Sequence, residues 1–284
     1  DISGFVAGGW NWAKAEDAND NTVSDNNTFA VQQYWIEMNK APTEESRAGF
    51  NIALQGGEFC TVGGCGDGGN ANNVHLYTAN VSYMAPLGSG LTVTAGIMPT
   101  LIGYEVENQN GNFFITRSLL WDMQPVTSTG VTVGYNITDQ LSLTVGAINT
   151  PIGDNRFDNI QSKAITSQVA FSAEKFSLTA GLNWGKMLGA TAADHTGVCD
   201  FDTCDSQGVF DVILTVNPID KLMIGANYDY HFSKARNDAD GNSANGISVF
   251  STFQVIESTG IGARFDYVEH KDGNDNKTEK DWEI

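Results

Sequence analysis

The sequence predicts an all-β fold, a transmembrane antiparallel up-and-down β-barrel of about 14–16 strands, and three observations carry that prediction. Stretches of strict apolar/polar alternation recur along the 284 residues. The links between them are short and long in turn. No run of about 18 apolar residues exists to form a membrane helix. A period of two marks extended strand, because successive side chains point to opposite faces. Alternating short and long links are what a chain leaves when it crosses a bilayer repeatedly, with turns on one side and loops on the other.

The elements follow in order. Strands at residues 2–13 and 29–40 are separated by an acidic link, and the next link, 41–46, is a short turn opened by Ala41-Pro42. A strand at 47–57 is followed by a long Gly-rich link, and one at 76–85 by the turn 86–90, which has Pro and Gly at its ends. In 91–98, Leu91, Val93, Ala95 and Ile97 alternate with Thr92, Thr94 and Gly96. Beyond a long link, strands at 129–135 and 141–148 flank the Asn- and Asp-bearing turn 136–140; the second sets Leu141, Leu143, Val145 and Ala147 against Ser142, Thr144 and Gly146. Strands at 164–172 and 176–186 close on the short link 173–175, with Phe176, Leu178, Ala180, Leu182 and Trp184 on one face of the second. The pairs 209–216 with 222–231, and 247–255 with 259–268, repeat the form across the short links 217–221 and 256–258. A last strand begins near Trp282.

An antiparallel sandwich would also give one greasy face and one polar face. Its polar face, however, meets bulk water and carries many Lys, Glu and Arg. Here it is Gly, Ser, Thr and Asn with single charges, which suits a confined wet lumen. Aromatics close the apolar face: Trp10, Trp12, Trp184, Tyr228, Tyr230 and Tyr267 gather at one rim, and Tyr83, Tyr135, Phe171 and Phe176 at the other, as interfacial girdles do. The repeat continues without a linker or a change of period, so residues 1–284 read as one barrel domain. No signal peptide stands at Asp1, which fits an exported chain from which it was removed. Because bacterial single-chain barrels have even strand numbers, a chain stopping at Trp282-Glu283-Ile284 is expected to lack its natural C-terminus.

Acids outnumber bases 34 to 15, for a net charge of −19. Many lie in the long links, including Asp17, Asp20, Asp194, Asp200, Asp238, Asp240, Asp272 and Asp275. They would form a hydrated negative mouth that repels nucleic acid and concentrates cations; the alternative is that they only keep the rim soluble. The four cysteines form two local pairs, Cys60/Cys65 and Cys199/Cys204, both in long links. In an oxidising compartment these read as disulfides stiffening the mouth. A zinc site is the alternative, disfavoured by a spacing wider than zinc pairs usually show.

The segments Ser3-Gly4-Phe5-Val6, Ala41-Pro42-Thr43-Glu44-Glu45-Ser46-Arg47-Ala48-Gly49-Phe50, Val81-Ser82-Tyr83-Met84-Ala85-Pro86-Leu87-Gly88 and Asn112-Phe113-Phe114-Ile115-Thr116-Arg117-Ser118, followed by Thr129-Gly130-Val131, resemble the outer-membrane β-barrel porin type 2 family of Gram-negative bacteria. The resemblance covers roughly residues 3–185. It implies an outer-membrane pore and supplies no catalytic residues. The cysteine-bearing loops look like insertions relative to the family pattern.

The link from Pro99 to Thr127 is the exception among the long ones. It carries Phe113, Phe114, Ile115, Leu119, Leu120 and Trp121, which would be costly in water at about 25 cal/mol per Å². It is expected to fold into the lumen as a pore constriction presenting Glu105, Glu107, Arg117 and Asp122, with packing on a neighbouring subunit or over the rim as the alternative. Strand parity places Glu37, Arg47, Asp211, Asp229, Arg264 and Asp266 on the lumen face. A basic group on the lipid face costs about 2–4 kcal/mol near the midplane. Four acids against two bases favour cations; cross-lumen pairing that sets rigidity is the alternative.

His75, His195, His231 and His270 lie near the outer rim or in loops, none beside a recognisable nucleophile, so no enzyme activity is expected. No cofactor and no metal site are expected either. The acidic segments 238–242 and 272–276 offer calcium ligands but miss the EF-hand spacing. The reading is a passive diffusion channel in the bacterial outer membrane, with periplasmic turns and extracellular loops. It would be mildly cation-selective toward ions and small hydrophilic solutes. Its partners are the lipid bilayer and, by analogy with barrels of this size, further copies of itself as a trimer. The competing reading is a structural or adhesive surface protein with a plugged barrel.

Overall fold

Each short turn closes a hairpin, and hairpins laid side by side build the whole wall. The computed structural model describes residues 1–16, 22–57, 74–152, 163–186, 204–235, 241–257, 259–271 and 278–284. Fourteen strands form one sheet in chain order: β1 (Ile2–Glu16), β2 (Thr22–Lys40), β3 (Ala48–Gly56), β4 (His75–Ala85), β5 (Leu91–Pro99), β6 (Thr127–Asn136), β7 (Leu141–Ile148), β8 (Ala164–Ala173), β9 (Phe176–Lys186), β10 (Cys204–Ile219), β11 (Leu222–Ala235), β12 (Ser243–Ile256), β13 (Thr259–Lys271) and β14 (Thr278–Glu283). Every neighbouring pair is antiparallel, with register such as Trp10↔Phe29, Val133↔Val145 and Asp211↔Asp229.

Thirteen of the fourteen strands follow the alternation, whereas β14, expected to begin near Trp282, begins at Thr278, and several strands run further than the alternation does. β2 begins at Thr22 rather than at 29, and β10 at Cys204 rather than at 209. The added stretches are polar, and their backbones go on pairing past the apolar band, as Ala13↔Asn26 and Ser206↔Lys186 show. Backbone hydrogen bonding ends where the ladder ends, while the apolar face ends where lipid would.

Burial is inverted relative to a water-soluble sheet. Val6, Val81 and Ile261 are 73%, 62% and 63% exposed, whereas Gln33, Gln55, Asn183, Asp211, Asp229 and Asp266 are fully buried. An outer band of exposed apolar residues is stable only against hydrocarbon. Trp10, Tyr83, Trp184, Tyr228 and Tyr230 stand exposed, Tyr83 and Trp184 near the ends of their strands.

The sheet curls around the link between β5 and β6, residues 100–126. Glu105 touches Arg264 on β13 at 3.3 Å, and Glu107, two residues later, accepts a hydrogen bond from Gln55 on β3 at 2.9 Å. In a flat sheet the ten strand steps from β3 to β13 would span about 48 Å. Two residues of chain cover about 7 Å. Only a rolled wall brings both strands to one loop.

Cys60, Cys65 and Cys199 lie outside the described residues; Cys204 opens β10 and its side chain lies outside them too. The segment 272–276 lies outside them as well, as do Asp238 and Asp240.

Candidate functional site

The candidate site is the loop of residues 100–126 and the inner wall facing it. Two short 3-10 helices, Gln109–Gly111 and Trp121–Met123, break its path. Several of its apolar groups pack onto the wall. Leu120 and Met123 form a buried cluster with Ala244 of β12 and Val268 of β13, and Ile102 packs with Ile152 and Val209. The Phe113 ring lies over Gly262 so closely that a Cβ there would meet it at 2.6 Å, so the glycine gives the ring its seat. Tyr104 packs against Phe250 of β12 with ring centroids 4.3 Å apart.

Polar side chains of the wall fix the loop backbone. From β2, Gln33 Nε2 donates to Glu107 O at 3.1 Å, and Gln33 Oε1 accepts from Gln109 N at 2.8 Å. From β8, Gln168 Nε2 donates to Leu101 O at 2.6 Å. From β11, Asn227 Oδ1 accepts from Tyr104 N at 3.0 Å. Gln124 donates to Asp229 Oδ2 at 2.6 Å, and Asn227 Nδ2 reaches Asp211 at 2.7 Å and Asp229 at 3.0 Å. These amides join loop to wall without adding charge to a low-dielectric interior.

Of the four expected constriction residues, three come together. Glu105 accepts from Ser118 N at 2.8 Å and Oγ at 2.6 Å while facing Arg264. Glu107 is buried against Gln55, and its carbonyl accepts from Arg117 Nη2 at 2.9 Å. Arg117 stacks over Trp121 at 4.5 Å. Burial pulls its guanidinium below the ordinary value, opposed by Glu107 and then Glu105. Burial, seconded by Glu105, raises the Tyr104 hydroxyl. Asp122 stands apart and exposed on the second short helix.

The six expected lumen charges divide by surroundings. Arg264 donates to Asp266 at 2.8 Å, Glu283 at 2.6 Å, Thr116 O at 2.8 Å and Arg117 O at 2.7 Å. Asp211, Asp229 and Asp266 are turned inward but fully buried beneath the loop. Arg47 Nη1 donates to Met84 O at 3.2 Å near the short-turn end. Glu37 lines an open cavity of about 520 Å³ between the loop and the wall of β2–β6 and β8, together with Trp35, Asn51, Tyr77, Ser128 and Thr166.

Sequence reasoning missed the amides Gln33, Gln55, Gln124 and Asn227, and the inward aromatics Trp35, Tyr77 and Phe250. Parity was the available signal: Gln33 and Trp35 share a face with Glu37, and Asn227 shares one with Asp229.

A family model described as "Putative beta-barrel porin-2, OmpL-like" matches residues 1–281. No curated protein matches the chain in sequence. Among solved structures, an anion-selective porin from Comamonas acidovorans is similar with a TM-score of 0.63 at 11% identity, covering 99% of this chain and 82% of that one. The trimer form of in-vitro folded OmpT, an outer membrane protein of Vibrio cholerae, gives 0.58 at 16% identity, covering 98% and 81%. OprB of Pseudomonas putida gives 0.52 at 14%, covering 96% and 74%. At these identities the likeness is one of fold.

Proposed function

The chain belongs to the "Putative beta-barrel porin-2, OmpL-like" family of outer-membrane porins, and on that footing we propose that it is a non-enzymatic, passive diffusion channel, mildly cation-selective, for ions and small hydrophilic solutes. The observation that carries the reading is the cavity of about 520 Å³ left beside a loop that crosses the barrel interior. Apart from the exposed Asp122, the loop's own charges are engaged: Glu105 with Arg264, Glu107 with Gln55, and Arg117 with the Glu107 carbonyl. The opening therefore owes its polarity to amides and hydroxyls of wall and loop, with Glu37 of the wall as its one charged side chain. Together with 34 acids against 15 bases in the whole chain, this supports a preference for cations.

In this reading Glu105, Glu107 and Arg117 shape the constriction, and Asp211, Asp229 and Asp266 hold the loop in place. The long loops face outside, as in other outer-membrane barrels. Assembly as a trimer is part of the reading, since one similar barrel is described as a trimer form. In a planar bilayer, folded protein is expected to give stepwise conductance closing in three equal levels, with a reversal potential in a salt gradient showing cation preference. Because loop anchors come from opposite walls, a plugged surface protein is the competing reading. Silence from a fully folded preparation would select it.

A further inference from the structure

We propose that the cavity between the loop and the wall of β2–β6 and β8 is a binding site for uncharged polyhydroxylated solutes of saccharide size. The inference rests on the channel reading and names the solute class for the same passage.

The lining carries the argument. It has one charged side chain, Glu37, no Lys or Arg, and otherwise amides, hydroxyls, two aromatics and a few aliphatic groups. An anion would find no countercharge there. A hydrocarbon would leave amides and hydroxyls without partners, a costly arrangement. A polyol suits it because each hydroxyl both donates and accepts.

Two hydroxyls are positioned for such a solute. Ser128 and Thr166 are 2% and 1% exposed, line the cavity, and their Oγ atoms have no hydrogen-bond partner among the described residues. Buried hydroxyls in native proteins are nearly always paired, with protein or ordered water, and a solute hydroxyl entering the cavity would supply the partner these two do not find in the protein.

Glu37 is held ready as an acceptor. Trp35 Nε1 donates to its Oε2 at 3.2 Å and Asn51 Nδ2 to its Oε1 at 2.5 Å, while Asn51 Oδ1 accepts from Thr78. A carboxylate has about four acceptor positions, so two remain for solute hydroxyls. The Trp35 and Tyr77 rings, 5.1 Å apart and tilted by 55°, supply an apolar edge for the C–H face of a sugar ring. The volume lies within the range of about 300–1,000 Å³ usual for small-molecule pockets.

The test compares sucrose with a polyethylene glycol of equal hydrodynamic radius on the full chain. Binding predicts that sucrose lowers single-channel conductance saturably, whereas the polymer acts by volume alone and does not saturate. Calorimetry on detergent-folded protein should give a matching saturable heat. The double variant Ser128→Ala/Thr166→Val, nearly isosteric and verified as folded by its heat-modifiable gel mobility, should weaken both signals about fivefold or more.

A sucrose effect no different from the polymer's, with no saturable heat, would overturn the inference while leaving the channel standing. Saturable heat, lowered in the variant, from a protein that gives no conductance steps would keep the site and remove the channel. Full-strength saturation in the variant would show that these hydroxyls are not the site.

Discussion

Arg264 gathers more of the loop's polar contacts than any other described wall residue. One guanidinium serves Glu105, Asp266, Glu283 and two loop carbonyls, and it also lies 5.3 Å over the Phe114 ring. Its partners are not equal. The side chains of Asp266 and Glu105 are 0% and 10% exposed, while that of Glu283 is 41% exposed. Removing one member of a buried pair leaves an uncompensated charge and costs about 3–5 kcal/mol, whereas an exposed pair contributes about 0–1 kcal/mol. Arg264→Met should therefore lower the urea unfolding midpoint of the reconstituted barrel substantially, and Glu283→Gln should barely move it. Equal shifts from the two variants would mean that the pair with the exposed acid matters as much as the buried ones. Arg264 was legible from parity alone, because a charge between Ala263 and Phe265 has only the lumen to face. Its partners were not legible. Glu105 lies 159 residues away in sequence, and nothing in the pattern links the two.

The loop of residues 100–126 shows what an element's composition does and does not reveal. Its apolar run announced that it must pack on something, and Leu119, Leu120 and Phe113 do so against β12 and β13. The polar half of its anchorage was hidden. Gln33, Gln55 and Asn227 look like ordinary polar lumen residues, and an amide that clamps a loop has the same parity as one that faces water. Trp35, Tyr77 and Phe250 were hidden for the opposite reason, since alternation sends aromatics to the lipid side and these turn inward. At the loop's root Gly103 has φ +92°, a left-handed conformation that favours glycine, and a Cβ there would run into the Gln124 amide. Gly103→Ala should push Gln124 off Asp229 and loosen the loop while leaving the strand ladder intact. Limited proteolysis of bilayer-embedded protein should then cut within 100–126 faster than in wild type, with raised conductance noise. Unchanged cleavage and noise would show that the loop tolerates the added methyl without shifting its root.

At the scale of the whole molecule, the proposed cation preference would have two sources acting at different ranges. The net charge of −19 acts through the field of all the acids, many of them in the long links, and that field is screened by salt. The Debye length is about 10 Å at 0.1 M and about 3 Å at 1 M. Glu37, by contrast, lies on the cavity wall, where in the proposed channel an ion would pass within contact distance and screening would have little room to act. Cation preference measured as a reversal potential should therefore fall as the salt on both sides rises from 0.1 to 1 M at a fixed concentration ratio, then level off above zero. Glu37→Gln should leave most of the low-salt preference and abolish the high-salt remainder. The charge is removed at nearly constant volume, and the one remaining acceptor oxygen can serve Trp35 or Asn51 but not both, so the variant gives up one of the two wall hydrogen bonds. If the variant lost preference equally at both salt concentrations, the molecule-wide field would have no part in selectivity. If it lost none at high salt, the residual preference would have to come from a group other than Glu37.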